Sequence, residues 1–287
     1  MAQVSPAQYQ AANYQFGIRA NTLMKFPRSG KPITINLPFR LTSATFAPDG
    51  KSLYAITNDN QGQGSISKIE FNPIRVTVMA SLEGIITRSF AVSSHQDKVV
   101  VSGDRLNAGQ RSCGVFEILL PQGAAKQLAS SNCRDQWRWD NLSLSPDAEQ
   151  GVVTAGSNRN RDLHLELLDL AHGTVRSLGS DVYIGVWSPD GKWIVARANG
   201  NGDKLFLIDA NDVSRRRPLG HGEVMAPAWS PDSRYLLLWK DCGSPGPDST
   251  ATLETLDIQS GKRTAVLSSR CQIYHGTTGW MSEEIAR

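Results

Sequence analysis

The residues whose type and spacing first suggest chemistry are aspartates that follow a proline in short polar segments. Asp49, Asp147, Asp190 and Asp232 stand in APDGK, SPDAE, SPDGK and SPDSR, and His95 occupies the corresponding place in a fifth segment. Recurring carboxylates could bind a metal ion or act as acids and bases. In a tight turn, however, aspartate accepts hydrogen bonds from nearby amides. We expect that turn role, because a turn tolerates replacement by His95 whereas a shared catalytic role does not.

The sequence contains no catalytic or cofactor-binding signature that would favour an enzyme. It has no GxSxG nucleophile motif, no HExxH zinc motif and no GxGxxG phosphate loop. The polar segment 58–64 lacks the spaced carboxylates and terminal glutamate of a calcium loop and is expected to be a hairpin loop. The five histidines fall in separate segments: His95, His164, His172, His221 and His275. The sequence therefore predicts no catalytic residue, no metal site and no cofactor.

The turn segments recur at intervals that indicate how the chain is organised. Aligned turn positions are 42 to 52 residues apart, the size of one four-stranded propeller blade. In the fourth unit the strands are predicted at GVWS, WIVARA, KLFLIDA and, more weakly, SRRRPLG. Trp187, Trp229 and Trp280 end first strands and are expected to pack between adjacent blades. The pattern predicts an all-β chain of repeated four-stranded units.

Three of these segments carry a family resemblance. FAPDGKSLYAIT, WSPDGKWIVARA and WSPDSRYLLLWK resemble the WD40-like (PD40) repeats of TolB-type β-propellers, which also form propeller domains in some prolyl peptidases. The resemblance covers four units well and the unit around FAVSSHQDKVVVSG less well. It implies a six-bladed β-propeller. The resemblance to prolyl peptidases ends with the propeller, because no hydrolase domain follows.

A sixth blade has to be assembled from the two ends of the chain. The segments YQFGIRA, TLMKFPR and KPITINL suit later strands of a blade, and TTGWMSEE suits its first strand. Pairing of N- and C-terminal strands would close the last blade and remove open sheet edges. We therefore predict a flexible N-terminal tail at 1–13 and a single propeller domain at 14–287. An open array of five blades is the alternative.

The resemblance also indicates where a ligand binds. In this family the loops from the fourth strand of one blade to the first strand of the next line one mouth of the central channel. Here those loops contribute the candidate ligand-binding residues Arg40, Arg88, Trp137, Trp139, Asp140, Tyr183, His221, Tyr274 and His275. This mixture could hold a peptide, a sugar or a carboxylate-bearing partner. Each residue taken singly also suits an ordinary loop or packing role.

The four cysteines bear on the compartment in which the chain folds. They permit three pairings, and matching places within two units favour Cys113 with Cys133 and Cys242 with Cys271. Disulfides persist in oxidising compartments. The segment MAQVSPAQYQAANYQ has neither the basic nor the apolar region of a signal peptide. The missing signal peptide by itself favours a cytoplasmic protein, but because of the cysteine pattern we expect a periplasmic or secreted protein whose signal peptide is absent from this chain.

Composition sets the remaining limits. The chain has 287 residues and a formal net charge of +3, which does not by itself indicate a nucleic-acid partner. Its apolar runs are far shorter than the roughly 18 residues of a membrane-spanning helix, so no transmembrane segment is predicted. The expected function is an exported binding module that presents its channel mouth to a protein or peptide, without catalysis. The alternatives are a glycan-binding propeller and a metal-assisted hydrolase or lactonase with its site in the channel.

Overall fold

The structure, a computed structural model, describes most of the repeats. The described residues are 9–12, 22–26, 33–36, 43–58, 64–71, 73–107, 110–131, 138–156, 162–198, 204–221, 224–240, 250–270 and 278–280. All regular elements within them are β-strands, which form six four-stranded sheets. The prediction of an all-β chain built from four-stranded units is confirmed.

The strands follow one another as short segments. In chain order they are β1 (Tyr9–Ala12), β2 (Thr22–Phe26), β3 (Ile33–Asn36), β4 (Ser43–Phe46), β5 (Ser52–Asn58), β6 (Gly64–Glu70), β7 (Arg75–Ser81), β8 (Ile85–Val92), β9 (Lys98–Asn107), β10 (Gln110–Leu119), β11 (Lys126–Ser131), β12 (Arg138–Leu144), β13 (Gln150–Gly156), β14 (His164–Asp169), β15 (Thr174–Ser177), β16 (Val182–Trp187), β17 (Trp193–Ala198), β18 (Lys204–Asp209), β19 (Arg216–His221), β20 (Val224–Trp229), β21 (Tyr235–Lys240), β22 (Thr250–Asp257), β23 (Arg263–Arg270) and β24 (Thr278–Trp280).

The six sheets differ in whether their four strands are consecutive in the chain. Five contain four strands that are consecutive in the chain, as in complete blades: β4 to β7, β8 to β11, β12 to β15, β16 to β19 and β20 to β23. The other has the order β24-β1-β2-β3, with Ala11 of β1 opposite Thr278 of β24 in antiparallel register.

Strand β1 lies earlier in the chain than expected. The N-terminal strands are predicted from residue 14 onward, but β1 occupies residues 9–12 and pairs with both β2 and β24. The tail expected over 1–13 therefore does not extend through residues 9–12. The sequence YQAA has no β-branched residue to mark a strand, and its backbone is held by partners on both sides instead.

The chain divides into two compact units. Unit 1 comprises Met1–Gln61, Ile66–Val78 and Glu223–Arg287, and unit 2 comprises Gly62–Ser65 and Met79–Gly222. Unit 2 contains the complete sheets β8 to β11, β12 to β15 and β16 to β19. It includes most of the predicted site residues that the structure describes.

Burial follows the position of a strand within its sheet. The second strand β13 is buried from Gly151 to Gly156, whereas the outermost strand β15 is exposed throughout. Successive side chains of a strand point to opposite faces, so a second strand buried on both faces needs apolar residues on both. This explains continuous runs with little polarity, such as VVTA in β13. A half-exposed strand would instead alternate apolar and polar residues.

Apolar side chains join neighbouring sheets of unit 2. One cluster contains Val100 and Val115 of one sheet with Val153 and Leu168 of the next. Because these residues come from facing surfaces, the core of unit 2 lies between the sheets.

Trp187 belongs to a second cluster, between sheets β12 to β15 and β16 to β19. It is 7% exposed and packs in a group with Leu165 and Ile194. Gly185 allows this approach, because a Cβ atom there would lie 2.8 Å from two methyl carbons of Leu165. The predicted packing between blades is confirmed for Trp187. Trp229 is also buried, and the side chain of Trp280 lies outside the described residues.

Candidate functional site

The first strand of each sheet in unit 2 contains a β-bulge near its start. The register shifts lie between Thr87 and Ser89 in β8, between Asp140 and Ser143 in β12, and between Val182 and Gly185 in β16. A bulge inserts one residue on one strand and changes the direction of nearby side chains. The three bulges therefore redirect side chains at a similar place in three successive sheets.

Three predicted ligand-binding residues occupy one common position at these bulges. Arg88, Asp140 and Tyr183 are each the fifth residue before the serine of the following turn. All three are half-buried, with 22% of the Arg88 side chain exposed. We call them the bulge positions. The scaffold thus keeps a constant backbone feature and places a cation, an anion and an aromatic ring there.

Hydrogen bonds between sheets hold the bulges in place. The main-chain N–H of Leu142 donates to Ser89 Oγ of the preceding sheet at 3.0 Å. The main-chain N–H of Trp187 likewise donates to Ser143 Oγ at 3.0 Å. In each case a serine near one bulge accepts a main-chain donor from the next first strand. The bulge positions therefore stand on a backbone that is fixed from two sides.

Arg88 is part of a charged cluster that spans three strands. Its Nη2 donates to Oδ2 of Asp104 on β9 at 2.8 Å, and Nη2 of Arg111 on β10 donates to the same oxygen at 2.7 Å. The Asp104 side chain is 8% exposed, against 45% for that of Arg111. A buried carboxylate requires cationic or hydrogen-bonded partners. Asp104 therefore fixes both guanidinium groups at the surface.

Two exposed aliphatic side chains share the face of this cluster. Ile86 pairs directly with Asp104, and Leu106 pairs with Arg111. Asp104 and Leu106 are alternate residues of β9 and share a face, and the hydrogen bond from Arg88 to Asp104 brings the Arg88 guanidinium to that same face. Ile86 is 56% exposed and Leu106 is 51% exposed. The surface combines a fixed cationic centre with apolar flanks, and we call it the arginine surface (Ile86, Arg88, Asp104, Leu106, Arg111).

Trp139 has a different environment from the one expected of a ligand platform. It is 5% exposed and belongs to the apolar core between two sheets. Its Nε1–H donates to Glu166 Oε2 at 2.7 Å, and the other oxygen of Glu166 lies 3.2 Å from His164 Nε2. Trp139 therefore presents no open ring face for stacking a sugar. Its indole orients Glu166.

The arginine surface and the Trp139 cluster (Trp139, His164 and Glu166) lie on two neighbouring sheets that face each other. Ser102, two residues before Asp104 on the same face of β9, donates to the main-chain carbonyl of Trp139 at 2.7 Å. His164 begins β14 and pairs with Ala155, the residue opposite Trp139. The two clusters therefore occupy facing surfaces of sheets β8 to β11 and β12 to β15.

Tyr183 is held by a cation–π contact in the third sheet. The guanidinium carbon of Arg197 lies 5.4 Å from the centre of the Tyr183 ring. An arginine over an aromatic face is attracted by the ring quadrupole. The contact restricts the Tyr183 ring at its bulge position.

The remaining predicted ligand-binding residues fall wholly or partly outside the described part of the chain. Arg40, Trp137, Tyr274 and His275 lie outside the described residues. His221 ends β19, where its backbone pairs with Lys204, but its side chain lies outside the described part of the chain. Their place in a binding site stays a prediction.

One of the four cysteines lies within the described residues. Cys113 of β10 is disulfide-bonded and 6% exposed, opposite Ser131 of β11. Cys133, Cys242 and Cys271 lie outside the described residues. The predicted pairs, Cys113 with Cys133 and Cys242 with Cys271, therefore stay predictions.

The recurring turn aspartates make structural hydrogen bonds. Asp190 Oδ1 accepts from Ser188 Oγ at 2.6 Å and from the main-chain N–H of Lys192 at 3.2 Å. Burial acts to raise the pKa of Asp190, but these hydrogen bonds outweigh it and the pKa lies below its usual range. Hydrogen bonds from Ser145 and from the Glu149 amide likewise lower the pKa of Asp147. The expected turn role is confirmed at these two positions.

His95 occupies the backbone position of the turn aspartates, as predicted, because the N–H of the residue after it donates to the carbonyl of the turn serine, as in the other serine-containing turns, but a different residue supplies the carboxylate. In that turn Ser93 Oγ donates to Asp97 Oδ1 at 2.6 Å, and the Lys98 amide donates to Ser93 Oγ. The hydrogen bond from Ser93 lowers the pKa of Asp97. The carboxylate is therefore retained, two residues after His95.

Sequence reasoning did not identify Asp104, Arg111 and Glu166. Asp104 and Arg111 lie at the end of β9 and the start of β10, on either side of the connection that joins these two strands. An aspartate and an arginine on either side of a hairpin connection, next to an arginine in the first strand, could indicate such a charged cluster once the register of the hairpin is known. Glu166 follows His164 by two residues in β14, so both lie on one face, and this spacing could also have been recognised.

Within the described residues, no group of three or more histidine, cysteine, aspartate or glutamate side chains is arranged to hold a metal ion. In the same part of the chain, no helix has the length and apolar character needed to cross a membrane.

Solved structures share the architecture described above. TolB from Acinetobacter baumannii superposes with a TM-score of 0.70 at 17% identity, covering 96% of this chain and 66% of the TolB chain. The chain has a TolB-type β-propeller fold. It spans just under two thirds of that TolB chain, and at this identity the likeness concerns the fold alone.

Other structures with this TolB-type fold come from different functional classes. A chain of a nidogen–laminin complex superposes with a TM-score of 0.63 at 9% identity, covering 98% of this chain and 95% of that one. An oligogalacturonate lyase from Vibrio parahaemolyticus gives a TM-score of 0.60 at 10% identity, covering 92% of this chain and 79% of the lyase. No protein-family model and no curated protein matches the sequence.

Proposed function

We propose that this chain is a binding propeller without catalysis of its own, whose bulge positions contact a protein or peptide partner. The observation that carries the proposal is the repeated bulge. Three successive first strands keep the same register shift while the residue at the common position changes from Arg88 to Asp140 to Tyr183. A constant scaffold with chemically different, half-buried side chains suits recognition of an extended partner with varied groups.

Fixed side chains support the proposal further. Arg88 is anchored by Asp104, and Tyr183 by Arg197. Side chains that are already immobilised lose less conformational entropy when a partner binds. The matching chain of the nidogen–laminin complex is an example of this fold in a protein–protein assembly. The lyase is an example of the same fold in an enzyme, so the proposal depends on the site rather than on the fold.

A selection from a peptide display library tests the proposed function. The intact protein is used as bait against random 12-residue peptides, and we expect enriched sequences that bind with micromolar dissociation constants. Binding should weaken in at least one of the variants Arg88→Gln, Asp140→Asn and Tyr183→Ala. Arg176→Gln, on the exposed outer strand β15, is the matched control and should bind as the unmodified protein does.

The alternatives predicted from the sequence correspond to different outcomes. Enrichment of no peptide together with binding on a glycan array would favour the glycan-binding propeller. Metal-dependent hydrolysis of lactone substrates would favour the hydrolase or lactonase. Either result would contradict the proposal.

We further propose that residues 14–287, together with β1, form one six-bladed propeller closed by β24. Antiparallel pairing of β24 with β1 supports this closure. Truncation after residue 277 removes β24 and should lower the melting temperature strongly, because the edge of β1 becomes unpaired. Truncation after residue 280 keeps β24 and is the control. Equal stability of the two truncated chains would contradict closure.

We also propose a periplasmic or secreted location. The disulfide bond at Cys113 supports it, because such bonds persist in oxidising compartments. Expression of the natural gene with a C-terminal reporter that is active only outside the cytoplasm tests this proposal. A signal confined to the cytoplasm would contradict it.

A further inference from the structure

We infer that the arginine surface is a carboxylate-binding subsite, in which Arg88 contacts a peptide carboxylate that lies beside an aliphatic side chain. The inference rests on the proposed function, since it names the group that a peptide partner would place in unit 2. The carboxylate is either a peptide C-terminus or a glutamate or aspartate side chain, and the experiment below distinguishes these sources.

The first argument concerns the orientation of Arg88. Arginine has five N–H donors in a planar arrangement that suits two-point contact with a carboxylate. In the described part of the chain, Arg88 uses Nη2 to reach Asp104. Its side chain is 22% exposed, so Arg88 is anchored through Nη2 and stays partly accessible to a ligand.

The second argument concerns charge. Asp104 is almost completely buried, and Arg88 and Arg111 both contact its Oδ2 atom. The three side chains together carry a formal charge of +1. An incoming carboxylate therefore meets two guanidinium groups, while the buried Asp104 charge is shielded behind them. Asp104 is a positioning residue in this arrangement, because it acts on the ligand only through the arginines.

The third argument concerns the apolar flanks. Ile86 and Leu106 are more than half exposed on the face that carries Arg88 and Arg111. Single exposed aliphatic residues are common, but here two of them flank one cationic group. An aliphatic side chain next to the carboxylate would cover them and exclude water from the ion pair, which strengthens the pair.

Fluorescence anisotropy with four labelled peptides tests the inference in about 50 mM salt. GSGSGLL with a free C-terminus is compared with its amidated form. Amidated GSGLELGS is compared with amidated GSGLQLGS. We expect at least one carboxylate peptide to bind with saturation, and its neutral counterpart to bind at least about tenfold more weakly. The pair that shows this difference identifies the source of the carboxylate.

Variants assign the roles of the individual residues. Arg88→Gln should weaken the carboxylate peptide about tenfold, Arg88→Lys should weaken it less, and the control Arg176→Gln should leave it unchanged. Asp104→Asn should also weaken binding, whereas Asp104→Glu should retain part of it. Circular dichroism confirms that each variant is folded. A merely structural role of Asp104 would change the melting temperature of the Asn variant without changing its affinity.

Two results would overturn the inference. One is the absence of saturable binding by both carboxylate peptides up to about 1 mM. The other is equal binding of charged and neutral peptides, or full affinity in Arg88→Gln. Display-selected peptides that bind independently of Arg88 and of their own carboxylates would contradict the inference while leaving the proposed function intact.

Discussion

The hydroxyl of Ser102 donates a 2.7 Å hydrogen bond to the main-chain carbonyl of Trp139 and so joins two neighbouring sheets. Ser102 is fully buried and lies between the apolar core and the arginine surface. Its hydroxyl also lies 2.7 Å from that of Ser89, which accepts the main-chain donor of Leu142. Two serines of one sheet thus satisfy a main-chain carbonyl and a main-chain amide of the next.

Ser102→Ala should therefore destabilise the protein. The substitution leaves the Trp139 carbonyl without this buried donor, and such a loss costs about 1–3 kcal/mol. Urea unfolding followed by tryptophan fluorescence measures the change in the free energy of unfolding. Ser112→Ala, on the opposite face of the adjacent strand β10, is the control and should change it by less than about 0.5 kcal/mol. Equal effects would show that the link between sheets contributes nothing specific.

Gly185→Ala should be destabilising because it overpacks the space between two sheets. The added Cβ would lie 2.8 Å from both Cδ atoms of Leu165 and 3.3 Å from Val152 Cγ2. Overpacking of this kind costs about 1–3 kcal/mol. Gly151→Ala in β13 is a matched control, since its nearest contacts would be 3.4 Å or longer. Thermal unfolding compares the two variants, and similar melting temperatures would contradict the prediction.

The contribution of Asp147 to the free energy of unfolding should be lost at low pH. Hydrogen bonds from Ser145 and the Glu149 amide hold its pKa below the ordinary value of 3.8 in the folded state. The resulting stabilisation is fully present above that value and is lost as the pH falls through the folded-state pKa. Ser145→Ala removes the main cause, so the pKa of Asp147 should rise toward 3.8. Carboxyl NMR titration measures it, and an unchanged pKa would refute the assignment.

Reduction of the disulfide bonds should lower the melting temperature. If Cys113 pairs with Cys133 and Cys242 with Cys271, each bridge closes a loop of about 20 to 30 residues and contributes on the order of 3 kcal/mol. Mass spectrometry of the unreduced, proteolysed protein should find these two cross-linked peptide pairs. Any other pairing, or free thiols at Cys133, Cys242 and Cys271 in oxidised protein, would disprove the assignment.

Much of the fold could be predicted from the sequence because its signals are local. The Ser-Pro-Asp turns, the short apolar runs and the repeat interval each depend on a few adjacent residues, and they predicted the four-stranded sheets. Strand β1 was missed because it is defined by partners distant in sequence, β2 and β24. His95 was correctly aligned with the turn aspartates, but counting fixed positions cannot detect that Asp97 supplies the carboxylate of that turn.

The candidate site was predicted only in part, because its geometry depends on strand register. Position in the repeat was sufficient to select Arg88 and Tyr183. The burial of Trp139 could not be read from its residue type, since a tryptophan suits both a core and a stacking platform. The convergence of Arg88 and Arg111 on Asp104 depends on how β8, β9 and β10 are paired, and no single residue in the sequence specifies that register.

Hydrogen bonds between serine hydroxyls and the main chain of the next sheet affect how this scaffold can change over evolutionary time. Each of these hydrogen bonds has a main-chain partner, as at Leu142 and Trp187, where the main-chain N–H donates to a serine hydroxyl. The N–H is present whatever the side chain, so only proline at that position would remove the bond. Drift at the neighbouring bulge positions leaves the attachment of one sheet to the next intact. Residues 140 and 183, and residue 88 when Asp104 changes with it, are therefore sites where lineages, or an engineer, can exchange side chains and alter what is recognised without loosening one sheet from the next.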